Sequence, residues 1–169
     1  MAVSRVLGID PGSRVTGLGV IEAKGQTLRH IYSGCVRTTG SELGPRLGQI
    51  YRGVAHVIEK YKPDTISIEQ VFMSKNAQSA LVLGQARGAA LLAAIHGQKA
   101  VSEYSALEIK NAIVGTGRAT KEQVQQMVKM LLGLHDAPPT DAADALGCAI
   151  CHIHNQQILR RISASDSVA

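Results

Sequence analysis

The stretch TDAADALGCAICHIH, residues 140–154, holds two different chemistries within the length of one helix. Asp141 and Asp144 stand three apart, so on a helix their carboxylates share a face. Cys148, Cys151 and His152 follow in the C-x-x-C-H spacing of covalent haem attachment, and His154 extends them toward a zinc-like set. Two further acids sit where a chain leaves a strand: Asp10 in LGIDPGS and Glu69 in ISIEQVF. Each has an ordinary explanation by itself. Asp10 suits a turn before Pro-Gly, Glu69 is the first solvated residue after an apolar run, and Thr140 or Asp141 can cap a helix whose dipole favours early acids.

Together the acids read differently. Ala142, Ala143 and Ala145 are small, as expected where a helix packs closely on a sheet, and carboxylates on that side need the compensation a divalent cation supplies. Asp10, Glu69, Asp141 and Asp144 make a hard-oxygen donor set suited to Mg²⁺ or Mn²⁺. The thiols fit metal or haem less well. Adjacent helical positions such as 151 and 152 point about 100° apart, and haem attachment normally goes with an export signal that MAVSRVLGID lacks. Cys148 and Cys151 instead extend the apolar face of Ala145 and are expected to be buried helix thiols.

The elements that must hold the acids follow from periodicity. Residues 3–10 read as a buried strand, 15–23 and 27–37 as two more turning at Lys24-Gly25, and 43–61 as a helix stopped by Pro63. A short strand at 64–70, a long Ala-rich helix at 76–96 and a fifth strand at 99–104 come next, then helices at 105–113, 120–132 and 140–158. The expectation is one α/β domain over 1–158, a five-stranded mixed sheet flanked by helices, with 159–169 as a flexible tail. Acids at the C-terminal ends of such strands point into the crevice where sites form.

Composition narrows the partners. The 169 residues carry 18 Lys and Arg against 13 Asp and Glu, a net charge of +5 that favours a polyanion without requiring one. The apolar run SALVLGQARGAALLAAI is broken by Gln85 and Arg87, so neither a membrane span nor secretion is expected, and the cysteines should be reduced in the cytoplasm. Lys121 follows Thr120 at a helix start with Gln123 at the capping-box position, where a cation opposes the dipole by a few tenths of a kcal/mol; that hints at a phosphate or an acid cluster nearby. Phe72, the only Phe, lies past a strand end before Met73, Ser74, Lys75 and Asn76, which suggests an aromatic offered to bases and a cation to phosphate. Arg87 reads equally as a phosphate contact or an interhelix partner.

The motifs GIDPGSRVTGLGV, IEQVFMSKNAQSALVLGQARG, the VGTG turn before Lys121, and DAADAL resemble the RuvC family of Holliday-junction resolvases, bacterial endonucleases of the ribonuclease-H-like fold. The resemblance runs from about residue 4 to about residue 157. It implies catalytic, metal-binding roles for Asp10, Glu69, Asp141 and Asp144 and a catalytic role for Lys121; the hydrolysis itself suits two ions per site, one activating a water and one at the leaving 3′ oxygen. It also implies Lys110 and Lys121 near the scissile phosphate and Phe72 at the junction centre; Lys75 and Asn76 are expected on DNA from their place beside Phe72. By the same resemblance, the substrate is a four-way junction and the RuvA–RuvB branch-migration complex is a partner. A two-fold substrate asks for a homodimer, and helix 76–96, apolar on more than one face with Gly84 and Gly88, could both enter the core and meet a second copy. The Gly-rich GIDPGSRVTGLG lacks the Gly-Lys-Ser/Thr of a P-loop but also resembles the first phosphate loop of actin-like ATPases; those pair two such domains, for which the chain is too short. ATP binding would mark that alternative, and junction binding without cleavage a third.

Overall fold

The computed structural model describes residues 3–71 and 76–166. Its elements are β1 (Val3–Asp10), β2 (Val15–Lys24), β3 (Thr27–Arg37), α1 (Leu43–Tyr61), β4 (Thr65–Glu69), α2 (Ala77–His96), β5 (Ala100–Tyr104), α3 (Ala106–Val114), α4 (Lys121–Leu131) and α5 (Thr140–Asp166). The strands lie in the order β3-β2-β1-β4-β5. β1, β2 and β3 form the expected antiparallel meander, while β4 and β5 run parallel to β1.

Alternation along the strands builds two cores. Leu7, Ile9, Leu18, Ile66 and Ile68 face Ile50, Val54 and the buried alanines of α2 on one side. Val6 and Ile21 face α3, α4 and α5 on the other, where Ile109, Ile113, Val124, Val128, Leu146 and Ile150 close the second layer. Gly8, Asp10, Gly17 and Gly19 lie on that same α5 side by the period-2 rule.

α5 lies on the sheet backbone to backbone. A Cβ at Gly8 would stand 2.9 Å from the amide of Ala149, and one at Gly19 would strike Leu146. Along β4 the helix keeps step with the strand: Glu69, Ser67 and Thr65 meet Asp144, Cys148 and His152 in turn. About 6 Å of helix per four residues against about 6.6 Å of strand per two accounts for the match.

The expected helix end at 158 is eight residues short of Asp166. Nothing in LRRISASD carries a Pro or Gly stop, and although residues 158–164 are exposed, local bonds continue, such as Ser163 Oγ to Leu159 O at 2.9 Å. Gln157 ties this part of the helix to the β2–β3 turn through Gly25 O at 2.8 Å.

Candidate active site at the strand ends

Asp10 and Glu69 are the last residues of two adjacent parallel strands whose register pairs Ile9 with Ile68, so the acids emerge side by side. On the other flank Asp10 pairs with Gly17, and a Cβ at Gly17 would run into the carbonyl of Asp141. The bare backbone at Gly17 therefore lets the first turn of α5 settle over Asp10, which carries Asp141 and Asp144 into the same corner. Behind Asp10, the Thr16 hydroxyl donates to Gly12 O at 2.8 Å and accepts from Gly12 N at 3.3 Å, holding the Pro-Gly turn down. Behind Glu69, the Gln70 amide continues the ladder to Tyr104 O at 2.8 Å.

The acids perturb one another. Burial, followed by the charges of Glu69, Asp144 and Asp141, lifts Asp10 from 3.8 to about 8. Burial and then Asp144 raise Glu69, against a hydrogen bond shared with Asp10 and the nearby charges of Lys121 and Lys110. Asp144 is raised by burial, opposed by Lys121. Carboxylates that make one another harder to ionise are the donor set a divalent cation relieves. Among the described residues no three such side chains stand close enough to hold an ion as they are, and a side-chain hydrogen bond joins Asp10 to Glu69.

Both lysines named from the sequence face this cluster. Lys110 comes from α3, which starts at a Ser105–Glu108 capping box directly after β5. Lys121 opens α4 behind a Thr120–Gln123 capping box. A cleft of about 240 Å³ lined by Asp10, Pro11, Glu69, Gln70, Leu83 and Ala106 reaches the acids. Roomier hollows, about 510 Å³ beside the far end of α5 and about 420 Å³ between α1 and α2, offer a single carboxylate each, Glu108 and Glu59, and lack this convergence.

The remaining expectations divide. Asn76 caps α2 by accepting from Ser79 N at 3.1 Å, a structural task beside any contact with DNA. Phe72 and Lys75 lie outside the described residues. Arg87 is a partner within the fold, its Nε 3.4 Å from Glu69 O and its terminal nitrogen 2.6 Å from the Glu103 carboxylate. Cys148 and Cys151 are buried as expected. Sequence reasoning missed Gly8, Gly17 and Gly19 as positioning residues. Their signal was present as glycines alternating on one face of two strands. It also missed Cys35, half-buried on β3 opposite Gly17, where the Ala142 amide meets its sulfur; burial, then Asp141, pushes its thiol up.

Comparison with known proteins gives the family. A family model described as "Crossover junction endodeoxyribonuclease RuvC" matches residues 6–152. The RuvC of Shewanella sp. (strain MR-4) is 56% identical over 158 residues, covering 94% of this chain and 91% of that protein. The RuvC of Shewanella frigidimarina is 58% identical over 154 residues, covering 91% and 89%. Among solved structures, T. thermophilus RuvC in complex with Holliday junction substrate superposes with a TM-score of 0.86 at 35% identity, covering 92% of this chain and 96% of that one. The yeast mitochondrial resolvase Ydc2 shares the fold at a TM-score of 0.68 and 14% identity, covering 98% and 86%. The fold is thus ribonuclease-H-like, as the resemblance implied.

Proposed function

The chain belongs to the RuvC family of crossover junction endodeoxyribonucleases, and on that premise we propose that it resolves four-way DNA junctions by paired symmetric nicks, through metal-assisted phosphodiester hydrolysis in recombination and repair. The observation that carries the reading is the meeting of four acids and two lysines at the ends of β1 and β4 under the first turn of α5.

Asp10, Glu69, Asp141 and Asp144 would hold the metal as a set of hard oxygen donors. Two Mg²⁺ ions, or Mn²⁺ in their place, would supply an activated water near neutral pH and neutralise charge at the leaving 3′ oxygen. Lys110 and Lys121 attract the scissile phosphate and temper the acids' mutual repulsion. Phe72 stacks on bases at the junction centre, with Lys75 on the backbone and Asn76 beside it.

Matching nicks need two sites related by a two-fold axis, which a homodimer provides. α2 is suited to that contact. By length and composition it could cross a membrane, yet Ala86, Ala90, Ala93 and Ala94 are buried in the core and Arg87 is paired with Glu103. Its other face exposes Leu81, Leu92 and Ile95, which a second copy would cover. The same reading gives a cytoplasmic enzyme working with RuvA–RuvB.

The test is incubation of the protein with a synthetic four-way junction and with linear duplex, with and without Mg²⁺. Paired nicks at symmetric positions, only in the junction and only with metal, are expected. Equal cutting of the duplex, or cutting in chelator, defeats the reading.

A further inference from the structure

The loop between α3 and α4, residues 115–120, spans the interval between the two lysines that face the acids. Its placement therefore sets where Lys121 stands relative to Lys110. The loop starts at Gly115, whose φ of 81° ends α3 and whose amide donates to Asn111 O. Its inner end is pinned by Ala119, buried in the core beneath. The bonds on its outer part are local: Arg118 N to Thr116 Oγ1 at 3.3 Å and Ala119 N to Thr116 O at 3.4 Å.

An apolar contact joins that outer part to α3. A Cβ at Gly117 would run into a methyl of Leu107, with Leu107 Cγ at 3.2 Å and Asn111 Oδ1 at 3.5 Å. Gly117 has no left-handed φ, so the obstacle to a side chain there is Leu107 and not the backbone. Leu107 is 60% exposed, one turn before Lys110 and next to Ala106, which lines the acid cleft. A single exposed Leu is ordinary. One whose methyl lies where a Cβ at 117 would stand joins α3 to the outer part of the loop through the free end of its side chain.

We propose that Leu107 and Gly117 form a latch that sets Lys121 against Lys110 and the acids, which makes Leu107 a positioning residue for strand cleavage. The proposal rests on the reading that these lysines act at the scissile phosphate. A cation displaced by about 1 Å at a reacting centre is enough to slow chemistry by one to two orders of magnitude, while leaving a diffuse DNA contact nearly as strong.

A size-swap cycle tests it, using the full chain with a four-way junction and Mg²⁺ under single-turnover conditions, with junction binding and melting temperature measured for each variant. Leu107→Ala and Gly117→Ala should each slow cleavage about 10-fold, with binding within about 2-fold. The double variant should recover most of the loss, because the Ala at 117 fills the space Leu107 vacates, and Leu107→Met should cleave nearly as the natural protein does. Additive losses in the double variant, a natural rate for Leu107→Ala, or binding that falls in step with rate overturns the latch. Loss of cleavage that only tracks a lowered folded fraction does the same. Lys121→Ala separates the two levels: a natural rate there removes the reading beneath the latch, whereas a slow Lys121→Ala with no recovery in the double variant removes the latch alone.

Discussion

The top and bottom of one seam, where α5 lies along β4, have the same geometry and opposite chemistry. At the top Glu69 meets Asp144, both half-buried, with Asp10 and Asp141 beside them and Lys110 and Lys121 approaching. At the bottom Thr65 meets His152, 2% exposed, whose ring nitrogens lie 3.2 Å from Thr65 Oγ1 and 2.9 Å from the Tyr104 hydroxyl. Between them the Ser67 hydroxyl faces the Cys148 thiol, a weak partner and the only one found for it among the described residues. At the top, half-buried carboxylates make one another harder to ionise; at the bottom, the polar groups are neutral and hydrogen-bonded. That difference, not the residue types, separates a site from a core.

The largest effect should come from the top. Asp10→Asn, Glu69→Gln, Asp141→Asn and Asp144→Asn are each expected to cut single-turnover cleavage by about 100-fold or more, with junction binding kept or improved, since each removes a negative charge near phosphate. Asn caps a helix about as well as Asp. Full activity of both helix variants across a Mg²⁺ titration would therefore reduce the site to two carboxylates.

The middle of the seam should respond in stability instead. Cys148→Ala combined with Cys151→Ala trims buried packing and should cost about 1–3 kcal/mol in denaturant unfolding, while nicking by the folded protein stays within about 2-fold. Stoichiometric zinc or haem that vanishes with this change, together with activity, would make the C-x-x-C-H stretch functional after all.

pH sharpens the contrast because the two ends titrate in opposite senses. Asp10 is raised from 3.8 to about 8, so the folded state binds a proton that the unfolded chain has already released. Stability of the metal-free protein should then fall as pH climbs through that interval, and Asp10→Asn or added Mg²⁺ should flatten the fall. A melting temperature in chelator that stays level from about pH 5 to about pH 8 would mean that Asp10 ionises in the folded protein much as it does unfolded. His152 is lowered by burial, so the unfolded chain takes up its proton first. Stability should drop as pH falls below the ordinary histidine value of 6.5, a smaller effect that His152→Gln should lessen. An unchanged acid slope in that variant would mean the bottom of the seam tolerates charge.

Much of this was readable along the chain, where the deciding forces are local. Alternation set β1 and β3 at 3–10 and 27–37, and the 3.6-residue period with Pro63 set α1. The capping boxes at Ser105 and Thr120 close with residues three positions on. The acids could be named because strand ends and a helix start are local features, and because several motifs in order resemble one family. The end of α5 at Asp166 was not readable, since a helix without a stop signal continues past the point where its buried face runs out.

What the sequence determined by itself was which residues lie at strand ends, helix starts and apolar faces, because backbone preference and periodicity act over a few neighbours. Only the tertiary structure decided which of them meet. Asp10 and Glu69 are 59 positions apart, and Asp144 lies 75 beyond Glu69, yet strand order and the glycine groove under α5 bring them together. The same packing joined Arg87 to Glu103 and sealed Cys148 and His152 away from water. Whether a carboxylate or a thiol becomes a site depends on its access to solvent and on the charges of distant neighbours, and those are properties of the folded surroundings that no local pattern encodes.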